Sequence, residues 1–461
     1  MIDIEQEPGL LKISRFNSNG LTEFIKIPIP EEERFEWEYA LRVKDVDPKW
    51  RSWDNRAIKR SKRSYLSKYR IEEFLYSLPD EDKKKLYESN RPKIWFCDIE
   101  VEVTDDGFPE PSNAPNKITS VCFAHENKAF VFALKNLDEN EILEIESDIN
   151  SYFKKYNANF TFKFIYFESE YEMLYAIFHR YIPQMPLITG WNFVKFDWQY
   201  LVNRCKKLNI EPEVSSPTKK FINKDFIPMH RPVVDYMLIY NKWDNKVDVK
   251  ETSKLDYVAS QVLNLAKIKY NGTLKDLYEK DFKKYIYYNV VDTLLVMYID
   301  KEISVLTTYL QLANTARVEL ISAFSPIRMT EALLAREFYD RDKVLVKKTD
   351  TSKPEATYEG AFVKHPIPGL YEWVVTYDFA SLYPTTMRQF NISPETYLGK
   401  RDDLSGDDYI RTATGAIFDS KVDSVSRKFL TDLFNKRVEK KDEAKKIEKA
   451  IEALKNLQKQ K

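Results

Sequence analysis

An apolar run, Trp373-Val374-Val375, leads into Thr376-Tyr377-Asp378-Phe379-Ala380-Ser381-Leu382-Tyr383-Pro384, and no other stretch constrains this chain as strongly. By its pattern the run is a buried strand with an aspartate at its end, followed at once by a turn carrying a Tyr-Pro pair. An aspartate so placed suits a divalent metal held against a triphosphate, with backbone amides of the next residues cradling the phosphates. A lone aspartate at a strand end is common and mostly structural. The weight therefore rests on the whole Asp-x-x-Ser-Leu-Tyr-Pro string.

A second group of carboxylates lies upstream. Ile94-Trp95-Phe96-Cys97 reads as a buried strand ending in Asp98-Ile99-Glu100, and the two-residue period points both acids to one face. Thr189-Gly190-Trp191-Asn192-Phe193-Val194-Lys195-Phe196-Asp197 is a strand-to-helix turn that delivers Asn192 and Asp197. In Tyr288-Asn289-Val290-Val291-Asp292 the phenol and the carboxylate stand four apart, on one helical face. Each motif alone is weak, since Asp-x-Glu occurs in solvated loops and Tyr-x-x-x-Asp on ordinary helix surfaces. Together, Asp98, Glu100, Asp197 and Asp292 can hold two divalent ions roughly 4 Å apart, as in-line phosphoryl transfer to water requires. Tyr288 is then placed to orient the attacking water.

Strands predicted at 94–97, 118–123 and 129–132, with helical periodicity at 170–181, indicate an α/β layer of roughly 200 residues. The chain is helical again over 313–339, with Ser325-Pro326 as a break. The basic run from Arg56 to Lys68 reads either as a solvated helix face or as a nucleic-acid contact. Residues 427–461 carry 12 Lys/Arg against 6 Asp/Glu, and Leu430, Leu433, Phe434, Val438, Ile447, Ile451 and Leu454 recur at helical spacing. That predicts one long amphipathic helix or a helical hairpin.

Composition excludes several classes. The 72 basic and 72 acidic residues balance, which argues neither for nor against nucleic acid, because clustered acids can offset a basic groove. Three cysteines and four histidines form no disulfide framework or zinc pattern. No apolar run approaches membrane-spanning length and the start lacks a signal-peptide pattern, so a soluble, cytosolic protein is expected.

The motifs, in this order, resemble those of the family B DNA polymerases, most closely the bacteriophage replicative members. The resemblance runs from about Lys93 to Lys441, through Phe108-Pro109-Glu110-Pro111, Tyr358-Glu359-Gly360-Ala361-Phe362-Val363 and Arg388-Gln389-Phe390-Asn391-Ile392-Ser393-Pro394-Glu395-Thr396, and is loose over the first 90 residues. It implies an α/β multidomain fold: an N-terminal mixed domain (1–92, with a return segment 306–348), a ribonuclease H-like 3′–5′ exonuclease domain (93–305), the first part of an α+β palm (349–426) and partial helical fingers (427–461). It implies an exonuclease centre of Asp98, Glu100, Asp197, Tyr288 and Asp292, with Asn192 on DNA. At the polymerase site it assigns Asp378 and Phe379 to metal, Ser381, Leu382 and Tyr383 to the nucleotide, with Tyr383 excluding a 2′-hydroxyl, and Tyr358 and Gly360 to template. Ala361 stands where the family often has a second glycine. Arg437 and Lys441, four apart on a helix, read as a solvated basic face or as triphosphate ligands, and the resemblance favours the latter.

The resemblance also implies two Mg2+ per site (Mn2+ as a substitute), DNA primer–template, a single-stranded 3′ end, deoxynucleoside triphosphates, a sliding clamp and the cytoplasm of a bacterial host. No second palm aspartate, second fingers helix or thumb follows Lys461. The expectation is therefore a polymerase split in its fingers, completed by a second polypeptide, or else a truncation. The lysine-rich helical ending favours the split. Exposed apolar palm surface predicts poor solubility or self-association. A stand-alone DEDD-type exonuclease and a non-catalytic nucleic-acid-binding remnant, with RNA binding through residues 1–92, are the alternatives.

Overall fold

The computed structural model describes residues 1–88, 90–103, 109–222, 226–244, 252–346, 363–379, 381–400, 403 and 406–459. Phe108, Tyr358, Glu359, Gly360, Ala361, Phe362 and Ala380 lie outside them. The chain forms two compact mixed α/β units, one from Met1–Ile29 and Pro79–Met329, the other from Pro30–Leu78 and Thr330–Lys461. The first 29 residues thus share a unit with the carboxylate-bearing region.

The first unit is built on a six-stranded sheet in the order Thr161–Tyr166, Lys128–Ala133, Ile118–His125, Ile94–Val101, Leu187–Gly190, Val233–Asp235. Ile118–His125 runs antiparallel to both its neighbours, and the remaining pairs are parallel. It is buried on both faces up to its last residue, so even Thr119 and Ser120 are enclosed. The 22-residue helix Phe282–Ile303 covers one face, against Ile94–Val101 and Ile118–His125. On the other face Met173, Leu174, Ile177, Phe178, Leu201 and Cys205 pack with Cys97, Ile99 and Val101.

The helical stretch expected at 170–181 is present but changes pitch. Ser169 caps the α-helix Glu170–Ala176, which widens into a π turn at Ile177–Tyr181. Glu170 is buried there because Arg204 meets both its oxygens at 2.7 Å. The break at Ser325-Pro326 is also present. Pro326 opens the helix Pro326–Tyr339, where a missing N–H costs nothing.

In the second unit the basic run departs from its helical reading. Residues Ile58–Lys62 form a strand antiparallel to Phe35–Tyr39, and Ile58 joins a core of Phe35, Trp37, Trp50, Val344 and Val346. The cations of the run meet carboxylates: Arg56 with Asp54, Lys59 and Arg63 with Glu38, Arg60 with Asp47, Lys62 with Glu31. Glu38 on the paired strand, with Glu31, Asp47 and Asp54 in the flanking turns, thus balances the run.

One further expectation changes, and an open alternative closes. Trp373-Val374-Val375 is not in a strand. The stretch 373–379 is irregular and exposed, and no described segment pairs with its backbone, without which a strand is not stable. The basic C-terminal region is a single helix, Val425–Lys459, with no hairpin, and Leu433, Val438, Ile447, Ile451 and Leu454 are exposed along it.

Candidate active site

The strand Ile94–Val101 turns Asp98 and Glu100 toward the helix Phe282–Ile303, while Cys97, Ile99 and Val101 face the core on the opposite side. The neighbouring strand Leu187–Gly190 brings in the next acid. Gly190 passes so close that an added Cβ would stand 2.2 Å from the carbonyl oxygen of Cys97. Beyond it, Asn192 takes a left-handed backbone (φ 57°), which asparagine tolerates, and the chain enters a π turn, Val194–Trp198. That turn carries Asp197 inward, where Oδ1 accepts the Ile99 N–H at 3.2 Å. Asp235, at the end of the sixth strand, accepts the Val194 N–H at 3.2 Å and holds the turn from below.

Asp292 comes from the covering helix. One oxygen, Oδ2, is paired with Lys267, and the other is buried without a hydrogen-bond partner. Tyr288, one turn earlier, lies 3.4 Å from the Lys267 ammonium through its hydroxyl, and Tyr270 packs edge-on against its ring at 5.5 Å. Asn289, fully buried between them, donates from Nδ2 to Asp98 Oδ2 at 2.8 Å. The structure thus brings Asp98, Glu100, Asp197, Tyr288 and Asp292 into one cluster, with Asn192 on its rim.

The electrostatics of that cluster are strained. Loss of water, reinforced by the charge on Asp292 and opposed by Lys267 and Asn289, pushes Asp98 up to about 7. Burial and the neighbouring acids hold Glu100 and Asp197 well above the ordinary carboxylate range. Burial also raises Asp292, against the pull of Lys267. For Lys267 burial acts downward, but Asp292, Asp98 and Glu100 outweigh it and raise its pKa, so it is protonated at neutral pH. Burial and the same acids push the Tyr288 phenol far above its usual value, leaving it a hydrogen-bond donor.

Four carboxylates against one lysine, with an orphaned buried oxygen on Asp292, form a donor set that suits hard divalent cations. Among the described residues no three His, Cys, Asp or Glu side chains converge tightly enough to share one ion as they stand. A cavity of about 530 Å³ adjoins the cluster, lined by Asp98, Trp191, Asn192, Lys254, Asp256 and Lys267. Trp191 is fixed at its edge by a 2.9 Å bond from Nε1 to the Ser253 carbonyl.

Lys267 and Asn289 escape the sequence reading. Nothing in the pattern separates Lys267 from its neighbour Lys269, because its partner lies 25 residues away and meets it only in the fold. Asn289 stands inside a motif whose outer residues alone carried the reading.

The second unit holds the other predicted residues. Ser381, with φ 53°, starts the helix Leu382–Gln389, and Arg437 Nη1 approaches its hydroxyl at 3.5 Å. Asp378, Phe379, Leu382, Tyr383 and Lys441 are all exposed, Tyr383 by 71 %. Tyr358 and Gly360 lie outside the described residues. The Asn391–Thr396 stretch, read only as part of a resemblance, has a physical task. Asn391 donates to the Asp419 and Val422 carbonyls and accepts the Ser424 N–H, while Glu395 accepts the Val425 N–H at 2.7 Å. These bonds anchor the first turn of the long helix Val425–Lys459.

Residues 44–271 match the DNA polymerase family B exonuclease domain, and residues 319–461 match DNA polymerase family B. The chain belongs to the family B DNA polymerases. It is 30 % identical over 384 residues to the DNA-directed DNA polymerase of Escherichia phage RB69, covering 76 % of this chain and 42 % of that protein. Identity to the DNA-directed DNA polymerase of Enterobacteria phage T4 is 25 % over 406 residues, 81 % of this chain and 44 % of that protein. A DNA polymerase of Archaeoglobus fulgidus is 28 % identical over 375 residues, 77 % and 41 % of the two chains. This family B chain therefore spans less than half the length of these relatives. Asp98, Glu100, Asp197 and Lys267 fall inside the matched exonuclease segment and Asp378 to Lys441 inside the polymerase segment. Tyr288 and Asp292 lie between the two and join the site by geometry alone. No helix among the described residues is long and apolar enough to cross a membrane.

Proposed function

We propose that the first unit is a ribonuclease H-like 3′–5′ exonuclease that removes nucleotides from a single-stranded DNA 3′ end. The observation that carries this reading is the Asp98–Glu100–Asp197–Asp292 cluster, four acids against one lysine, whose Asp98 lines a cavity of nucleotide size. Two Mg2+ (or Mn2+) ions held by these four residues would supply an activated water and stabilise the leaving oxygen. The chain's own groups do the rest. Tyr288, protonated, orients the incoming water by donating a hydrogen bond. Lys267 balances the acid set and offers its ammonium to a phosphate oxygen. Asn192 and Trp191, on the cavity wall, position the terminal nucleotide.

The second unit, on this reading, is half of a nucleotidyl-transfer site. Asp378 and the Phe379 backbone serve metal. Ser381, Leu382 and Tyr383 serve the sugar and phosphates, and Arg437 and Lys441 the triphosphate, with Tyr358 and Gly360 on template. The approach of Arg437 to Ser381 favours this assignment, since it joins the helix Val425–Lys459 to the start of the Asp378 motif. One palm aspartate cannot hold two ions, so template-directed synthesis needs the rest of palm, fingers and thumb from further polypeptide. The exposed stretch 373–379 is where those strands would pair. A sliding clamp and the cytoplasm of a bacterial host follow from the same reading. The domain limits proposed from the sequence, 93–305 for the exonuclease and 349 onward for palm and fingers, belong to it as well.

The test is incubation of the purified chain with a 5′-labelled primer–template, Mg2+ and all four deoxynucleotides. Shortening from the 3′ end that Asp98→Ala abolishes supports the exonuclease with an incomplete polymerase. Primer extension by the chain alone would overturn the half-site. Binding without cleavage, indifferent to metal, would favour a nucleic-acid-binding remnant.

A further inference from the structure

We propose that Asn289 is a positioning residue for the metal-binding carboxylates: its amide, itself oriented by Ser120, holds Asp98 in place for a divalent cation. The inference rests on the exonuclease reading above. Asn289 is fully buried in the helix Phe282–Ile303, and its two side-chain bonds both point at the site. Nδ2 donates to Asp98 Oδ2 at 2.8 Å, and Oδ1 accepts from Ser120 Oγ at 3.1 Å. The amide cannot serve in the reverse sense, because Oδ1 against a carboxylate would oppose two acceptors. Ser120 sits on the strand Ile118–His125 directly across from Glu100, and is itself fully buried. A relay Ser120–Asn289–Asp98 thus ties the covering helix to two adjacent strands of the sheet.

The chemistry of the donor matters. Lys267 neutralises the acid it touches, whereas a neutral amide restrains Asp98 without cancelling its charge. One carboxylate oxygen is committed to Asn289, and Asp98 also lines the cavity, which leaves its other oxygen for a cation. A buried asparagine kept only for packing would bond to backbone groups of its own surroundings. Here the side-chain amide bonds instead to Asp98 and to Ser120, the residue across from Glu100. Outer partners that orient ligands in this way are worth about 10–100-fold in metal affinity.

The experiment titrates Mn2+ into the full chain without DNA, read by electron paramagnetic resonance. In parallel, the Mn2+ dependence of 3′-end release from a labelled single strand is measured. The variants are Asn289→Leu, Asn289→Ser, Ser120→Ala, the Asn289→Leu/Ser120→Ala double and Asp98→Ala. Either Asn289 variant should raise the half-saturating Mn2+ concentration about tenfold or more, with the maximal rate largely restored at high Mn2+. Ser120→Ala should raise it by roughly threefold, and the double variant should be no worse than Asn289→Leu alone, because the serine acts through the amide. Asn289 variants that bind Mn2+ within twofold of the parent, while Asp98→Ala loses binding, would overturn the proposal and leave the exonuclease reading intact. An Asp98→Ala chain that still binds Mn2+ and degrades DNA like the parent would remove the exonuclease reading itself, and this inference with it. Should Asn289→Leu fail to fold, Asn289→Ser decides, since it brings no apolar bulk against Asp98.

Discussion

The Lys267 ammonium is paired with Oδ2 of Asp292, and Oδ1 of the same carboxylate is buried without a hydrogen-bond partner. The acid is thus half satisfied, a state that a buried carboxylate tolerates only with a further ligand to receive or a proton to keep. Removing the lysine tips the balance toward the proton. Lys267→Met keeps the stem and deletes the charge, so all four acids should hold protons to higher pH and compete less well for cations. Exonuclease activity at pH 7 is expected to fall at least tenfold, with part of the loss recovered on raising either pH or Mg2+. Thermal stability without metal should change by only about 1–2 kcal/mol, because Asp292 can neutralise itself by protonation in place of remaining a buried unpaired charge. Cleavage rates across pH 6–9 and thermal midpoints in chelator check both parts. A rate unchanged at every pH would rule out a role for the pair.

Gly190 predicts a larger structural effect. A Cβ at that position meets the Cys97 carbonyl at 2.2 Å, a backbone atom that cannot swing aside. Gly190→Ala should force the strands Leu187–Gly190 and Ile94–Val101 apart at the point from which Asn192 and Asp197 depart, at a cost of about 3 kcal/mol. Both the thermal midpoint and exonuclease activity should drop, and high Mg2+ should not restore the latter. A variant as stable as the parent would mean the strand pair is softer than its geometry indicates.

How much of this was legible beforehand depended on the range of the interaction. Asp98 with Glu100, and Tyr288 with Asp292, are local periodicities, and the faces they predict are those observed. The strand expected at 118–123 and the break at Pro326 were equally local. The basic run at 56–68 was misread as helix because its alternation is diluted by charge. Its strand is set by pairing with Phe35–Tyr39, about 20 residues earlier, whose Glu38 also meets Lys59 and Arg63. Lys267 was invisible for the same reason of distance. For 373–379 the local signal favours a strand, but a strand needs a neighbour, and none is present among the described residues. Asn391 and Glu395 stood in a recognisable string whose purpose, anchoring a helix that begins 30 residues later, only the fold displays.

In the second unit Glu73 supplies a pH signature. Its carboxylate is buried, accepts the Trp37 indole N–H at 2.9 Å and lies 3.8 Å from Arg70. Burial, against the opposing pull of Arg70, lifts its pKa from 4.5 to about 8. A carboxyl that holds its proton more tightly folded than unfolded gives stability that is complete below about pH 4.5 and lost as pH rises toward 8. The slope contributed is at most about 1.4 kcal/mol per pH unit. Glu73→Gln keeps an acceptor for Trp37 and removes the charge. It should therefore raise the thermal midpoint at pH 8 by several degrees and have little effect at pH 5. Parallel melting curves of parent and variant between those values give the answer, and equal slopes would place Glu73 in a wetter site than the structure has it.

The last prediction concerns the root of the helix Val425–Lys459. Asn391 satisfies the carbonyls of Asp419 and Val422 and the N–H of Ser424, and is fully buried in doing so. Glu395 accepts the Val425 N–H, so a carboxylate sits at the positive end of the helix dipole. Nearly all side chains beyond residue 434 on this helix are exposed, so its orientation depends on this anchor and on Arg388, which bonds Thr431 and lies over the Phe434 ring. Asn391→Ala strands the buried Ser424 N–H and leaves the Asp419 and Val422 carbonyls to water, and should cost about 2 kcal/mol. Glu395→Gln keeps the shape and an acceptor but loses the charge, and should cost about 1 kcal/mol. The distinguishing measurement is amide hydrogen exchange across residues 425–440. Loss of protection there, with strand amides of the first unit unaffected, is the expected result. Uniform loosening throughout the chain would assign Asn391 to general stability and not to holding Arg437 near Ser381.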